Sequence, residues 1–587
     1  MAAARPSSPP PADRPLLEKM LLRKPQRVLA AEADEGELVR RFGLMDLLAV
    51  GVGGTLGTGV FVLSCVIAKD YAGPASFISW LLAGAATLLA AVGYAELAAR
   101  FPNAGGNYAY TYVAMGEVFA VLTGWCLVLE YAVGTAAVAR AWGDKMNNWL
   151  ADDIGLDLPG PLQPGRLINP AAAALQLACC GVMLLGAEAT QRVANVWTLL
   201  KVTLVLFIIV TGATAATGPP SEPFMPSGAG GVMSGAMAAC YGYIGWDEIC
   251  CMAGEAKDPH RTLPRAINGT IIICAGFYAI AAIVLAFMLP SSELDDEAGF
   301  SAGFDAVGLE WAGTIVSVGE LATLPVVVLL GCIAQPRIQY AIALDGLLPA
   351  AFRAVDADGN LVHGILISGA VMTLVALLAP FNVLDGICSA GVLVAFQLTN
   401  CSLVLVRVDE AARAGADSAR PRWLLLRFCV ASLAATVALD RATKGAPAAP
   451  CLIVAAALFL ASLFFGRGIS AHCRLPDPAT KAYYVGYRAP GVPWVQLLSL
   501  YCNWYLLAQL DASMLLAFVL YAFLALAFYL AVGVRASAGN TVGWRLSEDA
   551  PGADLKDLLL ADAVDEEAKA ADWPGPYSPP KNLDRLE

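Results

Sequence analysis

Two glycine-rich stretches hold the residues best suited to gripping a small charged molecule. The first reads Gly51-Val52-Gly53-Gly54-Thr55-Leu56-Gly57-Thr58-Gly59-Val60-Phe61, with five glycines in nine residues and two threonines among them. The second reads Tyr241-Gly242-Tyr243-Ile244-Gly245-Trp246-Asp247-Glu248. Each lies in the middle of an apolar run, where helix is the default because backbone groups in lipid must be satisfied within their own segment. Each glycine weakens a helix by up to ~1 kcal/mol relative to alanine, so both runs are expected to unwind at mid-depth. Unwinding bares N–H groups at the start of one half-helix, which suit a carboxylate. It frees carbonyls at the end of the other, which suit an ammonium. An α-amino acid presents both charges, ~3 Å apart by covalent geometry. The competing reading of either stretch is close packing of intact helices through small residues.

Two ionisable side chains stand out beside them. Glu130 falls within the apolar run Trp125 to Val138. A charge there costs several kcal/mol unless it meets partners or water. It reads as a support for a cationic ligand side chain, directly or through water, or as a structural bond to a neighbouring helix. Lys201 is the only charged residue between Val193 and Thr211. Lysine is the cation that can release its proton when buried, which suits a proton-coupling site; the other reading is a fixed charge that bridges helices.

These residues need a membrane scaffold to position them. Only 15% of the 587 residues are charged, against about 25% in soluble proteins. Fourteen apolar segments are read at 44–68, 75–99, 113–139, 170–187, 193–215, 231–253, 267–289, 311–343, 364–380, 383–406, 424–439, 449–466, 493–510 and 513–534. A 20-residue apolar helix spans a ~30 Å hydrocarbon core, and the period-2 alternation of a β-barrel is absent. The expected class is therefore an all-α integral membrane protein with 14 transmembrane segments. The first and sixth segments occupy matching places in a 5+5 arrangement. Interruptions at matching places in two halves point to the substrate site of an inverted-repeat transporter.

With these boundaries, sixteen Lys and Arg fall in loops on the N-terminal side and six in loops opposite. The positive-inside rule then puts both termini in the cytoplasm. Residues 1–41 carry no signal peptide pattern and read as a disordered tail, as do residues 537–587. Within the latter, Asp554 to Leu559 fits an acidic dileucine sorting signal or a frayed amphipathic turn. The 15 cysteines sit mostly in apolar blocks and the three histidines, His260, His363 and His472, in polar connections. No disulfide framework, metal site or cofactor is expected. No basic stripe suggests nucleic acid, and no nucleophile–base pair or phosphate loop suggests an enzyme.

An ordered set of motifs then resembles a known family. Beyond Gly51 to Phe61, it comprises Ala72-Gly73-Pro74-Ala75, Tyr94-Ala95-Glu96, Ala104-Gly105-Gly106, Gly116-Glu117 and the stretch Leu127 to Trp142 around Glu130-Tyr131. Gly254-Glu255-Ala256-Lys257-Asp258-Pro259, Pro336-Arg337 and Asp345-Gly346-Leu347-Leu348 follow. Tyr487-Arg488-Ala489-Pro490, Pro493-Trp494 and Asn503 to Asp511 complete it. From about Phe42 to Val534 the chain resembles the cationic amino acid transporters of the amino acid–polyamine–organocation superfamily, and the last motifs resemble that family's C-terminal module.

The resemblance implies a LeuT-like 5+5 inverted repeat plus four additional C-terminal helices. The core would span 42–410, two further helices 411–480 and the C-terminal module 481–536. It implies alternating-access transport of cationic L-amino acids (arginine, lysine, ornithine), proton-coupled, in a plasma, vacuolar or endosomal membrane. Thr55, Thr58 and Gly59 would hold the substrate carboxylate. Tyr241, Gly242 and Ile244 would offer carbonyls to its α-ammonium. Lys201 would stand where sodium sits in sodium-driven relatives. Gly331 would leave room for a long basic side chain. Bacterial and plant-like members share a glutamate at the position of Glu130, and animal members differ. Two alternatives stay open: a proton-coupled carrier of neutral amino acids, and a transporter-like sensor.

Overall fold

The computed structural model describes residues 14–35, 38–57, 59–156, 159–160, 167–216, 222–294, 299–413, 419–443, 448–473, 484 and 486–541. Among them the secondary structure is helical throughout, apart from one isolated bridge between Phe42 and Ala256. Each of the apolar segments read from the sequence contains helix. Nine helical runs among the described residues are long and apolar enough to cross a membrane. One of these, Gly59–Arg100, joins the second half of the first segment to the second segment. Leu44–Thr55, Pro170–Leu184 and Val362–Leu378 are shorter apolar helices. Large side chains such as Leu460, Phe464 and Leu516 face outward and are mostly exposed. Apolar surface of this extent is what a lipid-facing helix presents. The chain is a multi-pass membrane protein.

The C-terminal module is tied to the core by buried charges. Glu96, fully buried in the helix Ser76–Arg100, accepts from Arg100 Nε at 2.8 Å, Arg407 Nη2 at 2.7 Å and the Ala489 amide at 2.7 Å. Arg488 reaches Glu410, which also pairs with Arg100 at 2.9 Å. The Tyr487-Arg488-Ala489-Pro490 motif is thus a docking strap, with Asn268 Nδ2 donating to the Tyr487 hydroxyl at 3.3 Å. Arg337 likewise bonds Glu255, joining two motifs far apart in sequence.

The N-terminal segment departs from the expectation of a disordered tail. Leu16–Met20 and Gln26–Glu35 are helical, and Lys24 between them is buried. Its ammonium meets Asp345 at 2.7 Å and Glu32 at 2.6 Å. Burial works against that charge, but Asp345 and Glu32 outweigh it and hold the Lys24 pKa above the ordinary lysine value. The Glu117 amide donates to the Leu22 carbonyl at 2.9 Å, and Arg23 Nε to the Val113 carbonyl at 2.8 Å. The other end of the described chain arrives at the same place. Asn540 Nδ2 donates to Glu117 at 2.9 Å, and the Ala538 amide to the Asp345 carbonyl at 2.9 Å. Both ends therefore meet at one end of the bundle. Residues 542–587, with the dileucine pattern, lie outside the described residues.

Candidate functional site

The first segment breaks where its glycines cluster. The helix Leu44–Thr55 ends as the Leu56 amide donates to Val52 at 2.9 Å. The next amide, Gly57, turns back to the Thr55 carbonyl at 2.8 Å rather than reaching Gly53. The Gly53 carbonyl is thereby released, and Lys201 Nζ takes it at 3.0 Å. An ammonium at a helix C-terminus also meets the negative end of the helix dipole. The chain resumes as a wide π-type turn at Gly59–Leu63. Thr58, between the halves, lies outside the described residues.

The sixth segment breaks opposite. Gly228–Tyr241 is helical, then tightens through i→i+3 bonds from Gly242, Tyr243 and Ile244. Gly245, at φ +109°, turns the chain before the single turn Glu248–Cys251. The two breaks touch backbone to backbone. A Cβ on Gly245 would sit 3.0 Å from the Gly54 carbonyl, and one on Gly59 would sit 3.1 Å from the Gly242 Cα. Close packing and helix interruption, set against each other in the sequence reading, occur together. The Tyr278 hydroxyl lies between the breaks, 2.8 Å from the Thr55 carbonyl and 2.6 Å from the Gly242 carbonyl, sharing its one proton between them. Trp80 stacks on Tyr278 at 4.1 Å between ring centroids. The Trp80 ring also covers Gly242, whose Cβ would come within 2.7 Å of it.

A cavity of about 190 Å³ opens between these elements. Thr55, Gly59, Glu130, Tyr241, Gly242 and Ile244 line it together. The Thr55 hydroxyl is buried without a hydrogen-bond partner, and the Ile244 carbonyl receives no hydrogen bond among the described residues. The Gly242 carbonyl already receives Tyr278, which leaves it one further lone pair. Glu130 is brought to the wall by a π-type turn at Leu129–Gly134 in the third segment, a distortion frequent at functional sites. Both its carboxylate oxygens are buried and receive no hydrogen bond from a fixed donor, and the Asp247 carboxyl lies close enough to share a proton with them.

Two of the expected residues sit elsewhere, and Thr58 lies outside the described residues. Gly331 does not line the cavity; a Cβ on it would come 1.9 Å from the Thr135 hydroxyl, so it stands one layer behind Thr135, which does. The eighth segment is two helices, Glu310–Thr323 and Pro325–Leu344, joined at Leu324, and Gly331 lies on the second. Lys201 is fully buried behind the first segment and does not line the cavity.

The sequence reading of site residues left out Tyr278, Trp80, Asp247 and Glu248. Glu248 lines the cavity beside Gly54, and its Oε2 is buried without a partner. Asp247 lies behind it, accepting from the Tyr131 hydroxyl at 3.0 Å. The signal was present: two adjacent acids ending an apolar run.

The chain matches the family model described as amino acid permease over residues 42–462, and the C-terminus of that permease over residues 487–537. It is 35% identical to "Cationic amino acid transporter 4" of Mus musculus, over 64% of this chain but only 61% of the relative's length. It is 30% identical to "Cationic amino acid transporter 9, chloroplastic" of Arabidopsis thaliana, over 88% of this chain and 92% of that one. It is 31% identical to "Methylthioribose transporter" of Bacillus subtilis, over 67% of this chain and 86% of that one. Over the mouse protein, then, the match spans less than two thirds of the relative. A cavity between two broken helices, set in a helical bundle and continued by the matching C-terminal region, accords with these likenesses: the chain belongs to the amino acid permeases, a family of transporters rather than enzymes, within their cationic amino acid transporter branch.

Proposed function

We propose that the chain moves cationic L-amino acids (arginine, lysine, ornithine) across a membrane by alternating access, coupled to protons. The observation that carries this is the cavity at the two breaks, walled by the buried acid Glu130, whose oxygens no fixed donor reaches. Thr55, Gly59 and Thr58 hold the substrate carboxylate, and the carbonyls of Tyr241, Gly242 and Ile244 hold the α-ammonium. Glu130 faces the basic side chain. Gly331 sets the room available through Thr135. The scaffold is a LeuT-like 5+5 inverted repeat plus four further helices, crossing fourteen times with both termini cytoplasmic. The meeting of the two chain ends at Glu117 and Asp345 supports an even number of crossings.

Lys201 is the coupling site in this reading. Its ammonium neutralises the freed Gly53 carbonyl and the helix end, as a bound cation would. Loss of its proton removes the charge from the helix end, weakens the bond to that carbonyl and loosens the first segment. A membrane potential of 100 mV favours inward movement of a cation by ~2.3 kcal/mol, enough for roughly fifty-fold accumulation. Proton coupling adds to this.

Uptake of labelled arginine into proteoliposomes, with and without a pH gradient and a potential, tests the proposal. Uptake should require a basic substrate and rise with both gradients. In Lys201→Met, the pH-gradient component should vanish while the protein stays folded. Normal concentration of substrate by that variant at acid outside pH would end the coupling role. The Bacillus relative's name favours one competing reading, a neutral substrate; alanine displacing arginine as well as lysine does would support it.

A further inference from the structure

The cavity holds one more unpartnered acid than its expected chemistry uses. Glu248 opens the short second half of the sixth segment and is 6% exposed. It lines the same cavity as Glu130. Its Oε2 is buried without a hydrogen-bond partner, and no Lys or Arg forms an ion pair with it among the described residues. Asp247 and Lys201 act on it electrostatically, so with Glu130 three acids here face one ammonium, whose hydrogen bond goes to the Gly53 carbonyl. The backbone keeps space for it: a Cβ on Gly54 would come 2.8 Å from Glu248 Oε2. Two carboxylates on one cavity repel each other, and burial makes each costly to keep charged. Such a pair is balanced by a ligand bringing a positive group to each.

We propose that Glu248 is a second cation-binding carboxylate, and that with Glu130 it fits the cavity to a ligand with positive groups at both ends of an aliphatic chain. This rests on the reading of the cavity as the substrate site. Basic amino acids have that chemistry, and so do diamines of the same span, which lack the carboxylate. A neutral amino acid brings one ammonium and leaves one glutamate unmatched. Glu248 is thereby a specificity-determining residue, and the cavity accepts decarboxylated analogues of its substrates.

The test uses the full chain in proteoliposomes and in detergent. Pentane-1,5-diamine should inhibit uptake of labelled lysine with a KI within about tenfold of the lysine KM, and norleucine, which lacks the terminal amine, should not. Glu248→Gln should raise the lysine KM about thirty-fold or more, as loss of one partner from a buried charge pair does, and remove inhibition by the diamine. Glu248→Asp should restore part of both. Equal inhibition by norleucine, or an unchanged lysine KM in Glu248→Gln, overturns the proposal. Thermal stabilisation by the diamine, present in wild type and absent in Glu248→Gln, reads the site without transport. If that stabilisation is seen while no amino acid is carried, the two-carboxylate site stands and the transport reading falls. If lysine is carried but Glu248→Gln is indifferent, the reverse holds. Should the variant fail to fold, wild type decides: stabilisation by the diamine and not by norleucine supports the site, and its absence overturns it.

Discussion

Buried acids in this protein fall into two regions that treat them in opposite ways. Where distant parts of the chain are tied together, each acid is saturated. Glu96 takes two arginines and an amide, and Asp345 takes Lys24 and the Tyr108 hydroxyl. Glu117 takes Tyr112, Tyr529, Ser537 and Asn540. At the cavity, Glu130 and Glu248 Oε2 receive no hydrogen bond from a fixed donor, and Asp247, behind them, has only the Tyr131 hydroxyl and the neighbouring Glu130 carboxyl. An unpaired buried charge costs several kcal/mol. The first region shows that this chain supplies donors where an acid serves only to hold elements together. The acids at the cavity are not held by donors in that way, and under the function proposed above the ligand is what meets them.

The comparison breaks if neutralising an acid has the same effect in both places. Glu96→Gln leaves Arg100 and Arg407 with a neutral partner in a buried setting. A loss of about 3–5 kcal/mol is expected, read as a large fall in the thermal midpoint or in folded yield. Gly245→Ala should follow, at about 2–4 kcal/mol. It combines a strained φ of +109° with a Cβ 3.0 Å from the Gly54 backbone. That result would sharpen the contrast, because the cavity frame would then be held by backbone contact rather than by charge. Glu130→Gln should act with the opposite sign. Removing an unpaired buried charge should raise the midpoint of the ligand-free protein by the equivalent of about 1–3 kcal/mol, while uptake of lysine falls. A lower midpoint for Glu130→Gln would mean that Glu130 is a structural acid like Glu96.

The two regions also differ in how far they could be read from sequence. The breaks were legible because clustered glycines act locally: the positions near Thr55 and Gly242 follow from composition within a few residues. Glu130 was legible as a charge in an apolar run. The pairing at the chain ends was not, because the partners of Lys24 lie 8 and 321 residues away and only the fold brings them together. A Pro-, Ala- and charge-rich segment looks disordered until those partners are known. Gly331, expected beside the substrate side chain, stands behind Thr135, because which residue of the eighth segment reaches the cavity depends on how the third segment packs against it, and that is not a local signal. Tyr278 gave no local signal. A tyrosine in an apolar helix reads as core, and its role depends on two carbonyls 223 and 36 residues distant.

Tyr278 therefore supplies the smallest and most selective test of the cavity region. Among the described residues its hydroxyl is the side-chain donor shared by the two breaks, binding Thr55 on one side and Gly242 on the other. Tyr278→Phe keeps the ring that stacks on Trp80 and deletes only that bridge. Each carbonyl keeps access to the cavity or to a backbone donor, since Gly57 N–H also reaches Thr55. The expected loss is about 1 kcal/mol, a modest shift in the thermal midpoint. The effect on transport should exceed it in kind. With no common donor, the two breaks separate more readily, so substrate affinity should weaken several-fold while the ion pairs at the chain ends stay intact. If affinity is unchanged and only the midpoint moves, the hydroxyl is a packing bond and the two breaks are positioned by the glycine contacts alone.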